Sequence, residues 1–115
     1  RLLTLLHHGK LLEPALTEDL LLVLSTPKDG MLARLLPEEV RVASKPGSLE
    51  GVRCDAGIIY AAGRPFVVVA MASFLKDDRA GEQAIARVAQ VAYRTFGTLG
   101  SASPHGRILG VPKAP

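Results

Sequence analysis

Cysteine is nearly missing from this 115-residue chain, and tryptophan is missing altogether. The single cysteine, Cys54, excludes an internal disulfide and a cysteine-built zinc site. His7 and His8 have no evident third ligand and suit a helix C-terminus better than a metal. Aromatic residues number five, two Tyr and three Phe, too few for a platform on which nucleobases stack. An excess of one charge is also lacking. The formal charge is +3, and residues 1–97 hold twelve basic and eleven acidic residues, so the body is nearly neutral. A nucleic-acid binder needs clustered positive charge, and none is present. The longest strongly apolar run, Phe66 to Ala72, has seven residues, where a membrane-spanning helix needs about 20. What remains is 48% hydrophobic and 22% charged, the composition of a globular chain. A chain of this size buries roughly two-thirds of its unfolded surface, enough for one core.

Three stretches differ in pattern. Residues 1–39 read as a helical segment. Leu2, Leu5 and Leu6 share one helix face, and Gly9 suits the residue after its end. No capping side chain precedes Arg1, so the expectation is a helix cut from, or beginning inside, a longer chain. Lys10 to Pro14 reads as a connection. Thr17-Glu18-Asp19 opens a second helix that runs to about Leu24 and is stopped by Thr26-Pro27. Lys28 to Glu39 is ambiguous between a short helix and a loop. Residues 40–97 change period. Alternation from Val40 predicts a strand, Gly47 to Gly51 a turn, and Ala56 to Ala61 a second strand. Phe66 to Ser73 predicts a third strand, apolar throughout and therefore buried on both faces. The short links between them predict antiparallel pairing. Arg79 to Phe96 is the clearest helix, with Ile85, Val88, Ala89, Ala92 and Phe96 on one face, Asp78 at its front and Gly97 at its back. Residues 98–115 are a Gly/Pro-rich tail. The predicted class is α+β, a three-stranded antiparallel sheet flanked by helices.

Chemistry concentrates in Ser44-Lys45-Pro46-Gly47-Ser48 at the end of the first strand, with Arg53 and Asp55 close behind. The run from Val42 to Tyr60, then Gly63 to Ala70, then Asp78 to Ala86, resembles the C-terminal part of class A serine β-lactamases and penicillin-binding-type serine hydrolases. The likeness extends back over Leu2 to Leu24 and covers roughly residues 1–96. It implies a β-lactamase-like α/β sandwich in which a Lys-x-Gly strand borders the active site.

From that resemblance, Lys45 would set an ammonium beside the nucleophile and a substrate carboxylate, bordering a cavity whose other wall belongs to different polypeptide. Gly47 would let substrate approach the strand, and the Ser48 backbone N–H would donate to the oxyanion. Arg53 is the local candidate for a second carboxylate contact. Without that role it reads as a surface charge paired with Asp55. The family carries Thr or Ser where Pro46 stands, and proline supplies neither hydroxyl nor N–H. A proline in the strand fits an edge. The resemblance also calls for a Ser-x-x-Lys nucleophile motif and a Ser-Asp-Asn. The chain has no Ser-Asp-Asn, and its one Ser-x-x-Lys, Ser25 to Lys28, lies only twenty residues before Lys45. The expected partner is therefore the remaining N-terminal part of the same protein or a swapped copy, with a small acyl compound as substrate. No metal or organic cofactor is implied, and the family points to a periplasmic or secreted protein. A relative that hydrolyses esters or peptides, or has lost catalysis, is the alternative that Pro46 raises. A stand-alone binding or assembly domain is another.

Overall fold

The structure, a computed structural model, describes residues 1–26 and 30–101. Two helices come first, α1 (Leu2–His7) and α2 (Pro14–Ser25). α2 begins earlier than the acidic residues suggest because Pro14 occupies its first turn, where a missing N–H costs nothing. It ends where Thr26 turns extended (φ −59°, ψ 131°), as a residue before proline must. Residues 31–40 are turns rather than a helix, and they carry Met31 and Leu32 into the core.

Three strands follow, β1 (Val42–Leu49), β2 (Val52–Ile59) and β3 (Phe66–Ala72), in the order β1-β2-β3 with both pairings antiparallel. β1 does not turn at Gly47. It continues through Ser48 and Leu49, and the chain reverses at Glu50-Gly51, where Gly51 takes the left-handed φ of +68°. β2 accordingly starts at Val52, four residues before the alternation becomes visible in the sequence. The last helix, α3 (Asp78–Gly100), is capped by Asp77 rather than Asp78: the Asp77 carboxylate accepts from Arg79 N–H at 3.0 Å. It runs past Gly97, whose helical neighbours Thr98 and Ser101 bond back along the helix. Residues 98–100 of the expected tail thus complete the helix, Ser101 caps it, and 102–115 lie outside the described residues.

Alternation sorts the sheet into two faces. Arg53, Asp55, Gly57 and Ile59 of β2 share a face with Phe66, Val68, Ala70 and Ala72 of β3 and with Val42, Ser44, Pro46 and Ser48 of β1. α3 packs on this face. The core here joins Met31, Leu32, Ile59, Ala61, Phe66, Val68, Ile85 and Ala89, with Phe66 and Phe96 stacked at 4.5 Å. The other face is covered at one end, where Ile58 and Ala43 are buried and α1 and α2 lie against β2 and β1. Its other end is bare. Val69 and Met71 are each 72% exposed, which corrects the expectation of a strand buried on both sides. The apolar run reflects a face that no described residue covers.

Candidate functional site

The candidate residues sit on an edge strand. β1 pairs only with β2, and its other side is open among the described residues. Tyr60 N–H donates to Arg41 C=O at 3.0 Å, and this fixes the hydrogen-bonding phase of the ladder. In an antiparallel pair, directly bonded residues alternate with unbonded ones. Lys45, Gly47 and Leu49 therefore bond inward to β2, while Ser44, Pro46 and Ser48 direct their backbone polar groups outward. Pro46 falls at an outward position, so its missing N–H costs no ladder bond, and the Ser48 N–H points to the open edge.

Side chains divide the other way. Lys45 and Gly47 project from the partly bare face, and Pro46 and Ser48 from the α3 face. Lys45 is exposed, and its Nζ donates to the Pro46 carbonyl at 2.7 Å. None of the four principal cavities among the described residues is lined by Lys45. The expected cavity beside the ammonium is therefore not found in these four, and among the described residues Lys45 faces outward. A cavity of about 430 Å³ adjoins the start of the same strand, beside Val42, Ser44, Pro37, Glu38 and Arg41. At Gly47 the strands approach closely: a Cβ there would stand 2.8 Å from Cys54 Sγ, directly across the ladder.

The structure does not bring Arg53 beside Lys45. Arg53 lies on the opposite face with its side chain only 15% exposed, and its donors are engaged. Nε donates to Glu82 Oε1 at 2.9 Å, and Nη2 pairs with Asp78 Oδ2 at 2.9 Å. Nη1 donates to the carbonyls of Leu49 at 2.7 Å and Val52 at 2.9 Å. In place of an open carboxylate contact, Arg53 is a four-way tie between the hairpin and α3. The hydrogen bond to Glu82, with the nearby Asp78 charge, raises its pKa further above an already high value. Glu82 is held below the ordinary carboxylate range, chiefly by the hydrogen bond from Arg53 and then by Arg34, whose Nη1 donates at 3.1 Å.

Asp55 is not the partner of Arg53. It is buried, and its Oδ2 accepts the backbone N–H groups of Met31 at 2.9 Å and Leu32 at 3.1 Å. It holds the turns at 31–40 to the sheet, a role the sequence reading missed. The signal was an acid at an inward-facing strand position. Ser25 carries no free hydroxyl: its Oγ donates to Leu21 C=O at 2.7 Å and accepts from Arg41 Nε at 2.8 Å. Lys28, the other end of that motif, lies outside the described residues.

Comparison with known proteins places these observations. The sequence profile of the beta-lactamase enzyme family matches residues 1–96. A beta-lactamase from Sphaerobacter thermophilus superposes with a TM-score of 0.76 at 31% identity, over 83% of this chain and 37% of that one. A beta-lactamase from Chitinophaga pinensis superposes with a TM-score of 0.71 at 26% identity, over 82% of this chain and 38% of that one. PBP-A gives a TM-score of 0.71 at 26% identity, over 83% of this chain and 37% of its own, and a mutant of PBP-A is described as an acyl-enzyme complex with penicillin G. The chain thus spans little more than a third of the length of these structures. No curated protein sequence matches it.

Proposed function

The chain belongs to the beta-lactamase enzyme family, and from that membership we propose that it forms the C-terminal part of a serine hydrolase acting on β-lactam or related amide and ester bonds. The complete protein attacks the carbonyl with a serine that this chain does not carry, forms an acyl-enzyme, and releases it to water. The chain contributes the edge of the site. The observation that carries this reading is the phase of β1: the open edge presents the Ser48 N–H outward, three residues from an exposed lysine ammonium.

In this reading the Ser48 N–H is one of two donors to the oxyanion of the tetrahedral intermediate. A fixed backbone dipole there needs no reorganisation as charge develops. Lys45 supplies positive charge beside the nucleophile and the substrate's acidic group, and that charge gains strength once other polypeptide excludes water from it. Its present bond to the Pro46 carbonyl is an exposed one that such an arrangement replaces. Gly47 leaves the strand surface clear for substrate. In this reading the other wall of the site is the remaining N-terminal part of the protein or a swapped copy.

Pro46 favours a second reading, in which the protein takes an acyl group without an acidic neighbour, or has lost turnover. Proline at 46 offers no hydroxyl, and Arg53 is committed to α3, so of the three expected carboxylate contacts Lys45 remains. Labelled penicillin, incubated with the complete protein, separates the readings. The first expects a covalent adduct by mass, reduced at least about tenfold in Lys45→Ala. Absence of an adduct at any pH, with turnover of a neutral activated ester, favours the second.

A further inference from the structure

The strand that carries the proposed oxyanion donor is weakly held where it matters. Among the described residues β1 has one neighbour, and the face under Lys45, Val69 and Met71 is open. The tip of the β1–β2 hairpin lies at the rim of the sheet, where β3 ends with Ala72 opposite Arg53. Beyond the β2–β3 ladder, two polar contacts among the described residues tie that tip to the rest of the molecule. One is the Leu75 N–H on Gly51 C=O at 3.0 Å. The other is the Arg53 guanidinium, which reaches two carbonyls of the hairpin and two carboxylates of α3 at once. Ser48 is the register partner of Arg53, and Leu49, whose carbonyl Arg53 grips, is the next residue.

We propose that Arg53 is a positioning residue: by clamping the hairpin tip to α3 through Glu82 and Asp78, it fixes the direction of the Ser48 N–H at the open edge. The role rests on the reading of that edge given above. It differs from substrate contact, because the guanidinium faces away from Lys45. The fork of an arginine is what the geometry needs. A lysine keeps the charge but offers one nitrogen, which cannot serve two carboxylates and two carbonyls placed on separate sides. Arg34 shares Glu82 and extends the clamp to the turns at 31–36.

The test compares the complete protein with its Arg53→Lys variant. The first readout is backbone hydrogen exchange at Gly47, Leu49, Val52 and Cys54, whose N–H groups point into the hairpin. Exchange there is expected to rise about tenfold or more, with Ile85 and Ala89 of α3 unchanged. Equal hairpin rates in the two proteins overturn the proposal. The second readout is acylation by labelled penicillin per folded molecule, well below the melting temperature. The rate is expected to fall about tenfold while the half-saturating concentration stays within about twofold, since only the transition state meets the oxyanion donor. A residue that merely stabilises the fold lowers Tm and leaves the rate per folded molecule intact, and that result also overturns the proposal. If the wild-type protein takes no penicillin, the functional reading fails, and the exchange comparison still decides whether Arg53 holds the hairpin.

Discussion

Asp55 and Arg53 stand two residues apart on one face of β2, yet they serve different parts of the molecule. Asp55, 1% exposed, turns one oxygen to two backbone N–H groups of the segment before β1. A buried amide without a partner costs about 1–3 kcal/mol, so removing the carboxylate strands two such groups in the core. Asp55→Ala is therefore expected to destabilise the protein by about 2–4 kcal/mol, read as a lower urea midpoint with an unchanged slope. A loss below about 0.5 kcal/mol would mean that the 31–32 segment finds water or other acceptors. In the sequence, an Arg and an Asp at this spacing look like each other's partner. Only the strand register, and the return of residues 31–32 to the same face, reveal that each has a better one. That Lys45 lies on an edge strand was legible at this scale, because the neighbouring Pro46 fits a strand with one open side. The roles of Asp55 and Arg53 were not, because their partners lie 24 and 29 residues away in the chain.

At the level of elements, the hairpin and α3 were readable in outline and misjudged in extent. Gly47-Ser48 resembles a turn to any local rule, but the Gly51 left-handed position and the pairing of Leu49 with Val52 place the reversal later. That shift puts Gly47 and Ser48 inside the strand rather than in a turn. α3 is fastened by its first two turns, where Asp78 and Glu82 meet Arg53, and Glu82 also meets Arg34. Glu82 has its folded-state pKa depressed, chiefly by the Arg53 hydrogen bond. A depressed carboxylate adds stability above its unfolded value of about 4.3, and that contribution disappears as the pH falls through the lower folded value. Arg53 stays protonated throughout this range and adds no slope of its own. Urea midpoints are thus expected to decline on acidification from about pH 5 to pH 3, more steeply in the wild type than in Glu82→Gln. Because these side chains are partly solvated, the difference should shrink in high salt. Parallel pH curves for the two proteins would show that the clamp contributes no linked stability.

Among the described residues, the molecule has one covered side and one open side. α3 and the 31–40 turns close the first. On the second, Val69 and Met71 are 72% exposed and Leu49 is as open; just beyond β3, Phe74 is 98% exposed with a φ of +56° that few non-glycine residues adopt. β3 also ends the sheet, with seven residues from Phe66 to Ala72 that include no charge and no proline. Natural edge strands are blunted by charge, proline or a bulge, and this one has none of these among its side chains. A contiguous apolar face next to an unprotected edge seeks cover, and in the proposed enzyme the remaining polypeptide provides it. The consequence is measurable on residues 1–115 alone. The chain is expected to associate, eluting with a light-scattering mass above its 12.2 kDa monomer and rising with concentration. Replacing Val69 and Met71 together by lysine puts two charges on the bare face without touching α3 or the Arg53 clamp. That variant is expected to shift toward monomer with its helical circular dichroism retained. A wild-type chain that stays monomeric at about 100 μM and melts cooperatively would show instead that the open face is tolerated, and the case for a second covering polypeptide would lose its physical basis.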